Sequence, residues 1–202
     1  MVSRLEQHEV VSALLSGGVV ALPTDTVYGL AARFDDAAAI ADIFALKQRP
    51  RDVALPVMVS GPEQLKDLGV AWSEPAQMLA EHFWPGPLTI VVPVSEDLAA
   101  RAGASGTLGF RVPAQAAVVD VLSAVGPLAV TSANRHGATP CATADDVLTV
   151  FAGSTLSGVL DGGRCGGEVS SVVLLDQGWR VLRAGAISAE VLTALLGPPV
   201  AE

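Results

Sequence analysis

Val19-Val20-Ala21-Leu22-Pro23-Thr24-Asp25-Thr26 is the stretch on which the fold class turns. Four consecutive apolar residues between Gly17-Gly18 and Pro23 have the pattern of a short buried strand. Pro23 stops the run. The hydroxyls and carboxylate of residues 24–26 then fall in the loop at the strand's carboxyl end, where open α/β sheets place ligands. Upstream, residues 5–16 read as a helix with Leu5, Val10, Val11, Leu14 and Leu15 for one face, ended by Gly17-Gly18. Downstream, Asp35-Asp36 can cap a helix over 37–47. Its apolar stripe is Ile40, Ile43 and Phe44, and Lys47 continues that line one turn later. Pro50 disfavours helical geometry at Arg49, which places Arg49 in the extended exit.

The alternation of short apolar runs and amphipathic segments continues to the end of the chain. Strands are expected at 55–59, 88–94, 107–112, 128–130, 156–160, 171–175 and 179–182. Helices are expected at 62–68, 74–83, 114–125, 143–151 and from Ser188 to Gly197, while 95–106 has no clear pattern. With no linker, repeat or charge block, this implies one α/β domain over 1–202 on a twisted mixed sheet with flanking helices. The strand order is not readable from the pattern.

The bulk numbers narrow the function classes. Half of the 202 residues are hydrophobic, so the chain folds into a globule. No apolar run is long enough to span a bilayer, and Met1-Val2-Ser3-Arg4-Leu5-Glu6 carries charges where a signal peptide needs an apolar stretch. A cytoplasmic protein with no membrane association is expected. Two cysteines, Cys141 and Cys165, are too few for a disulfide framework. A net charge of −9 repels nucleic acid overall but leaves room for a local basic cleft.

The chemistry-bearing stretches each have a bland reading and a sharper one. There is no G-x-x-x-x-G-K-[ST] loop, no G-x-S-x-G elbow, and no metal or triad pattern among His8, His82 and His136. Lys47 and Arg49 can be solvated cations at a helix C-terminus, or a phosphate clamp of a point charge and a fork. Ser132 and Asn134, the latter the lone asparagine of the chain, can be turn residues, or donors at a strand's end. The glycines around Arg164-Cys165 can form a plain turn, or let backbone approach a ligand, with Ser170 and Ser171 adding hydroxyls. Arg111 and Arg183 lie in strands and need either aspartate partners or an anionic ligand.

Taken together these stretches resemble the YrdC-like family of threonylcarbamoyl-AMP synthases, over about residues 9–196. The resemblance rests on Pro23-Thr24-Asp25-Thr26 with Val27-Tyr28-Gly29-Leu30, on Lys47-Gln48-Arg49, on Trp84-Pro85-Gly86-Pro87-Leu88-Thr89, on Phe110-Arg111-Val112-Pro113, on Ser132-Ala133-Asn134 and on Leu182-Arg183-Ala184-Gly185. One such motif is weak; six in order are specific. The resemblance implies a twisted mixed sheet with a deep basic cleft. It implies condensation of L-threonine, bicarbonate and ATP to L-threonylcarbamoyladenylate and pyrophosphate, for N6-threonylcarbamoyladenosine modification of tRNA.

It also implies roles. Thr26, Arg111 and Ser170 hold threonine. Lys47, Arg49, Thr107, Ser132, Asn134 and Arg183 hold ATP, with Lys47, Arg49, Ser132 and Asn134 as the catalytic set. Mg²⁺ accompanies ATP, with no dedicated protein metal site. The product passes to the tRNA threonylcarbamoyl-transfer machinery, with weak RNA binding in the cleft. Val53 and Met58 depart from the family pattern, which often has asparagine and a polar residue there. Alternatives on the same scaffold are an RNA-binding module and another carbamoyl-adenylate-forming enzyme. As a phosphate clamp, Lys47 or Arg49 is expected to tolerate alanine with little loss of stability while turnover disappears.

Overall fold

The computed structural model describes residues 2–48, 54–166 and 168–200. Its strands are β1 (Arg4–Leu5), β2 (Val20–Leu22), β3 (Gly29–Arg33), β4 (Val57–Met58), β5 (Leu88–Pro93), β6 (Thr107–Arg111), β7 (Leu128–Ser132), β8 (Gly158–Leu160), β9 (Ser171–Leu175) and β10 (Trp179–Arg183). Its helices are α1 (Gln7–Leu15), α2 (Ala37–Lys47), α3 (Pro62–Asp67), α4 (Glu74–Phe83), α5 (Glu96–Arg101), α6 (Ala116–Val125), α7 (Ala144–Val150) and α8 (Ala189–Leu196).

All ten strands join one mixed sheet in the order β1-β8-β2-β3-β7-β4-β6-β5-β9-β10. Three elements differ from the sequence reading. β1 replaces the start of the expected first helix: Arg4–Leu5 pairs with β8, and the helix begins after Glu6, whose N–H is accepted by the Glu9 carboxylate at 2.8 Å. β3 is made of Gly, Leu, Ala, Ala and Arg, a composition with little strand propensity. It forms because antiparallel pairing with β2 and β7 satisfies its backbone on both sides. α5 occupies the stretch that carried no clear pattern, and the Ser95 hydroxyl caps it by accepting from Leu98 N–H at 3.3 Å.

Helices cover the two faces of the sheet unequally. Against one face pack Ile40, Ile43 and Phe44 of α2, Leu65 of α3, Leu79 of α4, Leu98 of α5, Val147 of α7 and Leu192 of α8. From the sheet they meet Leu30, Ile90, Phe110 and Val173. Against the other face α1 and α6 bury Val10, Leu14, Val118, Val121 and Leu122 on Val20, Leu22, Ala31, Leu128 and Val130. These two helices cover the β2, β3, β7 and β8 part, with Met58 of β4 at its margin. The same face of β6, β5 and β9 is left for something other than a helix.

The connection from β8 to β9 bears on the shape of this face. It has ten residues, 161–170, yet joins the second strand of the sheet to the ninth. Across a flat sheet that gap is roughly 34 Å, and ten residues reach roughly 35 Å only at full stretch. The connection also turns back on itself at Gly163, where φ is 78°. The sheet must therefore curl, as right-handed strand twist favours, to bring β9 towards β8 around the uncovered face.

Candidate active site

A cavity of about 630 Å³ opens on that uncovered face. Its floor is Thr107, Gly109 and Arg111 of β6, Thr89 and Val91 of β5, and Val172 of β9. Residues two apart on a strand share a face, so the cavity takes the alternate set to the one buried under α4 and α5. Its end wall is the β2–β3 loop with Thr24, Thr26 and Val27, followed by Tyr28. Met58, Val130, Thr131 and Ser132 close one side and Val169, Ser170, Leu182 and Arg183 the other. Among the described lining residues the cations are Arg111 and Arg183, no carboxylate lines the cavity, and the rest is apolar or hydroxyl-bearing.

Arg111 organises one end. It is 4% exposed. Nε donates to Gly86 O at 2.9 Å and Nη1 to Thr26 Oγ1 at 3.1 Å. Nη2 lies 2.7 Å from Asp25 Oδ1 as an ion pair, and neither Nη2 nor Asp25 Oδ2 has an aligned hydrogen-bond partner. Burial pushes the guanidinium below its usual range and Asp25 pulls it back up; it stays a cation. An aspartate therefore balances Arg111, whose side chain also lines the cavity. Thr24 Oγ1 lies 2.8 Å from Thr26 Oγ1 and accepts from Val27 N–H at 3.2 Å, which fixes the hydroxyl beside Arg111.

Ser170 sits across the floor, its Oγ 3.1 Å from Thr89 Oγ1. Arg183 folds onto it: Nε and Nη2 donate to Ser170 O at 3.0 and 2.8 Å, and Nη2 lies 2.8 Å from Ser170 Oγ. Gly185 makes this turn possible, because a Cβ there would lie 2.4 Å from Val169 O.

Lys47, Ser132 and Asn134 meet at the other end, but not all of them face the cavity. Lys47 is 2% exposed. Its Nζ donates to Asn134 Oδ1 at 2.8 Å, Asn134 O at 3.2 Å and Ser132 O at 2.6 Å, with Ser132 Oγ at 3.4 Å. Asn134 Oδ1 also accepts from Ser132 Oγ at 2.7 Å, and Nδ2 donates to Arg135 O and Ala138 O at 2.8 and 2.6 Å. Of the three, only Ser132 lines the cavity. Gln48 ends α2 in the left-handed region at φ 54°. The freed carbonyls are taken by the loop after β7: His136 N–H donates to Lys47 O at 2.8 Å, and Arg135 Nη1 donates to Leu46 O.

The residues singled out in the sequence therefore divide into three groups. Thr26, Thr107, Arg111, Ser132, Ser170 and Arg183 are brought to one cavity from β6, β7, β10 and two loops. Lys47 and Asn134 lie behind Ser132. Arg49, Pro50, Val53 and Gly167 lie outside the described residues. The sequence reading did not single out Thr24 and Thr89, although both stand inside motifs it quoted. It also passed over Tyr28, whose hydroxyl donates to Gly163 O at 2.9 Å. Met58 lines the cavity beside Arg111, its register partner on the neighbouring strand. Among the described residues no group of three or more His, Cys, Asp or Glu side chains is placed to hold a metal ion, and no helix is long and apolar enough to cross a membrane.

Comparison with known proteins agrees with this geometry. The Sua5/YciO/YrdC family model, described as "Telomere recombination", matches residues 12–185. The chain is 35% identical over 190 residues to a putative threonylcarbamoyl-AMP synthase of Mycobacterium leprae, covering 93% of this chain and 86% of that protein. It is 36% identical over 185 residues to the threonylcarbamoyl-AMP synthase of Pyrococcus abyssi, covering 90% of this chain and 54% of that one. The structure of P. abyssi Sua5 complexed with L-threonine superposes with a TM-score of 0.90 at 34% identity, over 98% of this chain and 60% of that chain. E. coli YciO shares the fold, with a TM-score of 0.80 at 22% identity over 94% and 95% of the two chains. This chain thus spans most of the mycobacterial relative and somewhat more than half of the archaeal one. On the match over 12–185 and these identities, the chain belongs to the Sua5/YciO/YrdC family.

Proposed function

We propose that this chain is a threonylcarbamoyl-AMP synthase that condenses L-threonine, bicarbonate and ATP. The observation that carries the reading is the convergence of Thr26, Arg111, Ser170, Thr107, Ser132 and Arg183 on one cavity, in a chain 34–36% identical to proteins of that name. The threonine amine attacks bicarbonate or its CO₂ equivalent and gives a carbamate with loss of water. A carbamate oxygen then attacks the α-phosphorus of ATP, the α–β bridging bond breaks, and pyrophosphate leaves.

The work asked of the protein is positioning and charge neutralisation in a site shielded from water. Arg111 receives the threonine carboxylate, and the hydroxyls of Thr26 and Ser170 orient the amino acid. Thr107, Ser132 and Arg183 face the nucleotide, joined by Arg49 from the exit of α2. Lys47 and Asn134 serve this half from behind, by fixing Ser132. Arg183 and Ser170 touch, so nucleotide and amino acid meet at that contact.

Mg²⁺ enters as part of the ATP substrate, held by phosphate oxygens and water; the described lining residues include no carboxylate. The adenylate is unstable to water, which fits direct transfer to the tRNA threonylcarbamoyl-transfer machinery in the cytoplasm. With a net charge of −9, any direct RNA contact is weak and confined to the cavity rim. The test is mass spectrometry of products from ATP, bicarbonate and a panel of amino acids. Threonylcarbamoyl-adenylate and pyrophosphate that need both threonine and bicarbonate are expected. Pyrophosphate release independent of either, or none from folded protein, rejects the reading.

A further inference from the structure

We propose that Tyr28 is a positioning residue for the amino-acid half of the site, acting as a latch that holds the 161–170 strap against the β2–β3 loop. This rests on the synthase reading for the identity of the ligand, but the latch itself is a feature of the fold.

The strap spans from the second strand to the ninth in ten residues and turns at Gly163. It follows the Pro23–Thr26 loop closely. A Cβ on Gly162 would lie 2.5 Å from Pro23 Cγ, and one on Gly166 would lie 3.0 Å from Asp25 O. Along this path the strap is tied at a few points. The Tyr28 hydroxyl donates to Gly163 O at 2.9 Å and accepts from Gly162 N–H at 3.1 Å. Asp161 accepts from Gly163 N–H at 3.0 Å and pairs with Arg4 at 2.7 Å, both on the exposed side. Cys165 N–H donates to Ala142 O at 2.9 Å.

Of these ties, Tyr28 alone is a fully buried side chain that also lines the cavity. Its ring stands two residues after Thr26. The strap it holds ends in Val169 and Ser170, which form one side of the cavity and are tied in turn to Ala186, Thr89 and Arg183. The two hydroxyls assigned to the amino acid, Thr26 and Ser170, therefore sit on segments that this phenol fastens together. Burial also pushes the phenol above its usual range, in keeping with a hydroxyl that serves as a neutral donor and acceptor.

The phenol hydroxyl reaches only Gly162 and Gly163, whereas the main-chain bonds that join Tyr28 to Ala133 and Cys141 do not depend on it. A loosened latch should consequently act on threonine more than on ATP, which feels it only through the contact of Arg183 with Ser170. The chain has one tyrosine, so Tyr28→Phe removes the only phenol and keeps the ring. The experiment pairs initial-rate kinetics, with threonine and ATP varied separately, with hydrogen–deuterium exchange of the peptide covering 161–170. Gly162→Ala, which lifts the strap from Pro23 and so disturbs the Gly162 N–H bond to the Tyr28 hydroxyl from the strap side, is run alongside.

For both variants the expected result is a rise in KM for threonine of about tenfold. The KM for ATP should stay within about twofold, and strap exchange should be about tenfold faster. Equal shifts in the two KM values, or unchanged strap exchange in Tyr28→Phe, overturn the latch. If wild-type protein shows no threonine-dependent turnover, the synthase reading fails. Strap exchange in Tyr28→Phe then decides the latch: faster supports it and unchanged overturns it.

Discussion

Lys47 Nζ lies 2.8 Å from Asn134 Oδ1, although 87 residues separate them in the chain. A buried ammonium fastens the last turn of α2 to the loop that follows β7, and three further oxygens of Ser132 and Asn134 surround it. The asparagine orients the serine hydroxyl that faces the cavity. The expectation that Lys47 can be removed at little cost in stability therefore changes: its ammonium is buried among four oxygens.

The first prediction concerns stability as well as rate. Lys47→Met leaves at least two buried oxygens without their donor, so unfolding free energy should fall by about 2–4 kcal/mol. Turnover should fall by more than about a hundredfold. Lys47→Arg should not restore it, because a planar fork cannot converge on oxygens that surround a single nitrogen. Denaturant unfolding beside steady-state turnover checks both statements. Loss of activity at wild-type stability would return Lys47 to the role of a phosphate clamp.

Arg111 serves three partners with three different nitrogens. Arg111→Lys can replace one or two of those contacts and loses the fork, so KM for threonine should rise by about a hundredfold while that for ATP changes little. Arg111→Ala leaves Asp25 unpaired and should also cost about 3 kcal/mol of stability. Isothermal titration with threonine and thermal unfolding of the two variants separate the binding effect from the folding effect.

Gly185 packs where a side chain has no room: a Cβ would lie 2.6 Å from both Ser170 C and Ser171 N. Gly185→Ala must displace the backbone that carries Ser170, and with it Arg183. Stability should drop by about 2 kcal/mol, and both threonine and ATP should bind more weakly, unlike the split expected for Tyr28→Phe. Gly69 has open space around it but a φ of 71°, so Gly69→Ala controls for backbone strain without crowding. Thermal shift with and without each substrate reads the difference.

Both cysteines are buried and free. Burial pushes the Cys141 thiol up to about 11 and the Cys165 thiol upward as well. Iodoacetamide at pH 8 should leave both unmodified in the native protein and alkylate both once it unfolds, as intact mass will show. The sign for stability follows. Unfolding lets Cys141 ionise near its ordinary 9, so stability is intact below pH 9 and falls as pH rises from 9 to about 11. Cys141→Ser, with an unreactive hydroxyl, should flatten that part of a denaturation-versus-pH curve.

Much of the fold was legible because short apolar runs and amphipathic segments report burial directly. Val19–Leu22 delivered β2 and the loop at its end, and the Ile40, Ile43, Phe44 and Lys47 line placed that lysine on a buried face. β1, β3 and α5 were not legible. A two-residue strand has no period, Gly-Leu-Ala-Ala-Arg has no strand preference, and a six-residue helix depends on its cap more than on a stripe. The site residues were named by resemblance, and spacing alone left Lys47, Ser132 and Arg111 each with a bland reading.

By itself the sequence determined most of the strands and helices, which faces are apolar and which side chains can bind an anion, since these follow from local composition and period. The strand order, the ten-residue strap from the second strand to the ninth, and the half-covered face with its cavity were decided only by the tertiary structure. So was the division between residues that face the cavity and residues that support it. Lys47 and Ser132 look equally available in the chain. Packing turns one of them into the cavity wall and seals the other behind it, because a buried ammonium is stable only where several oxygens converge on it.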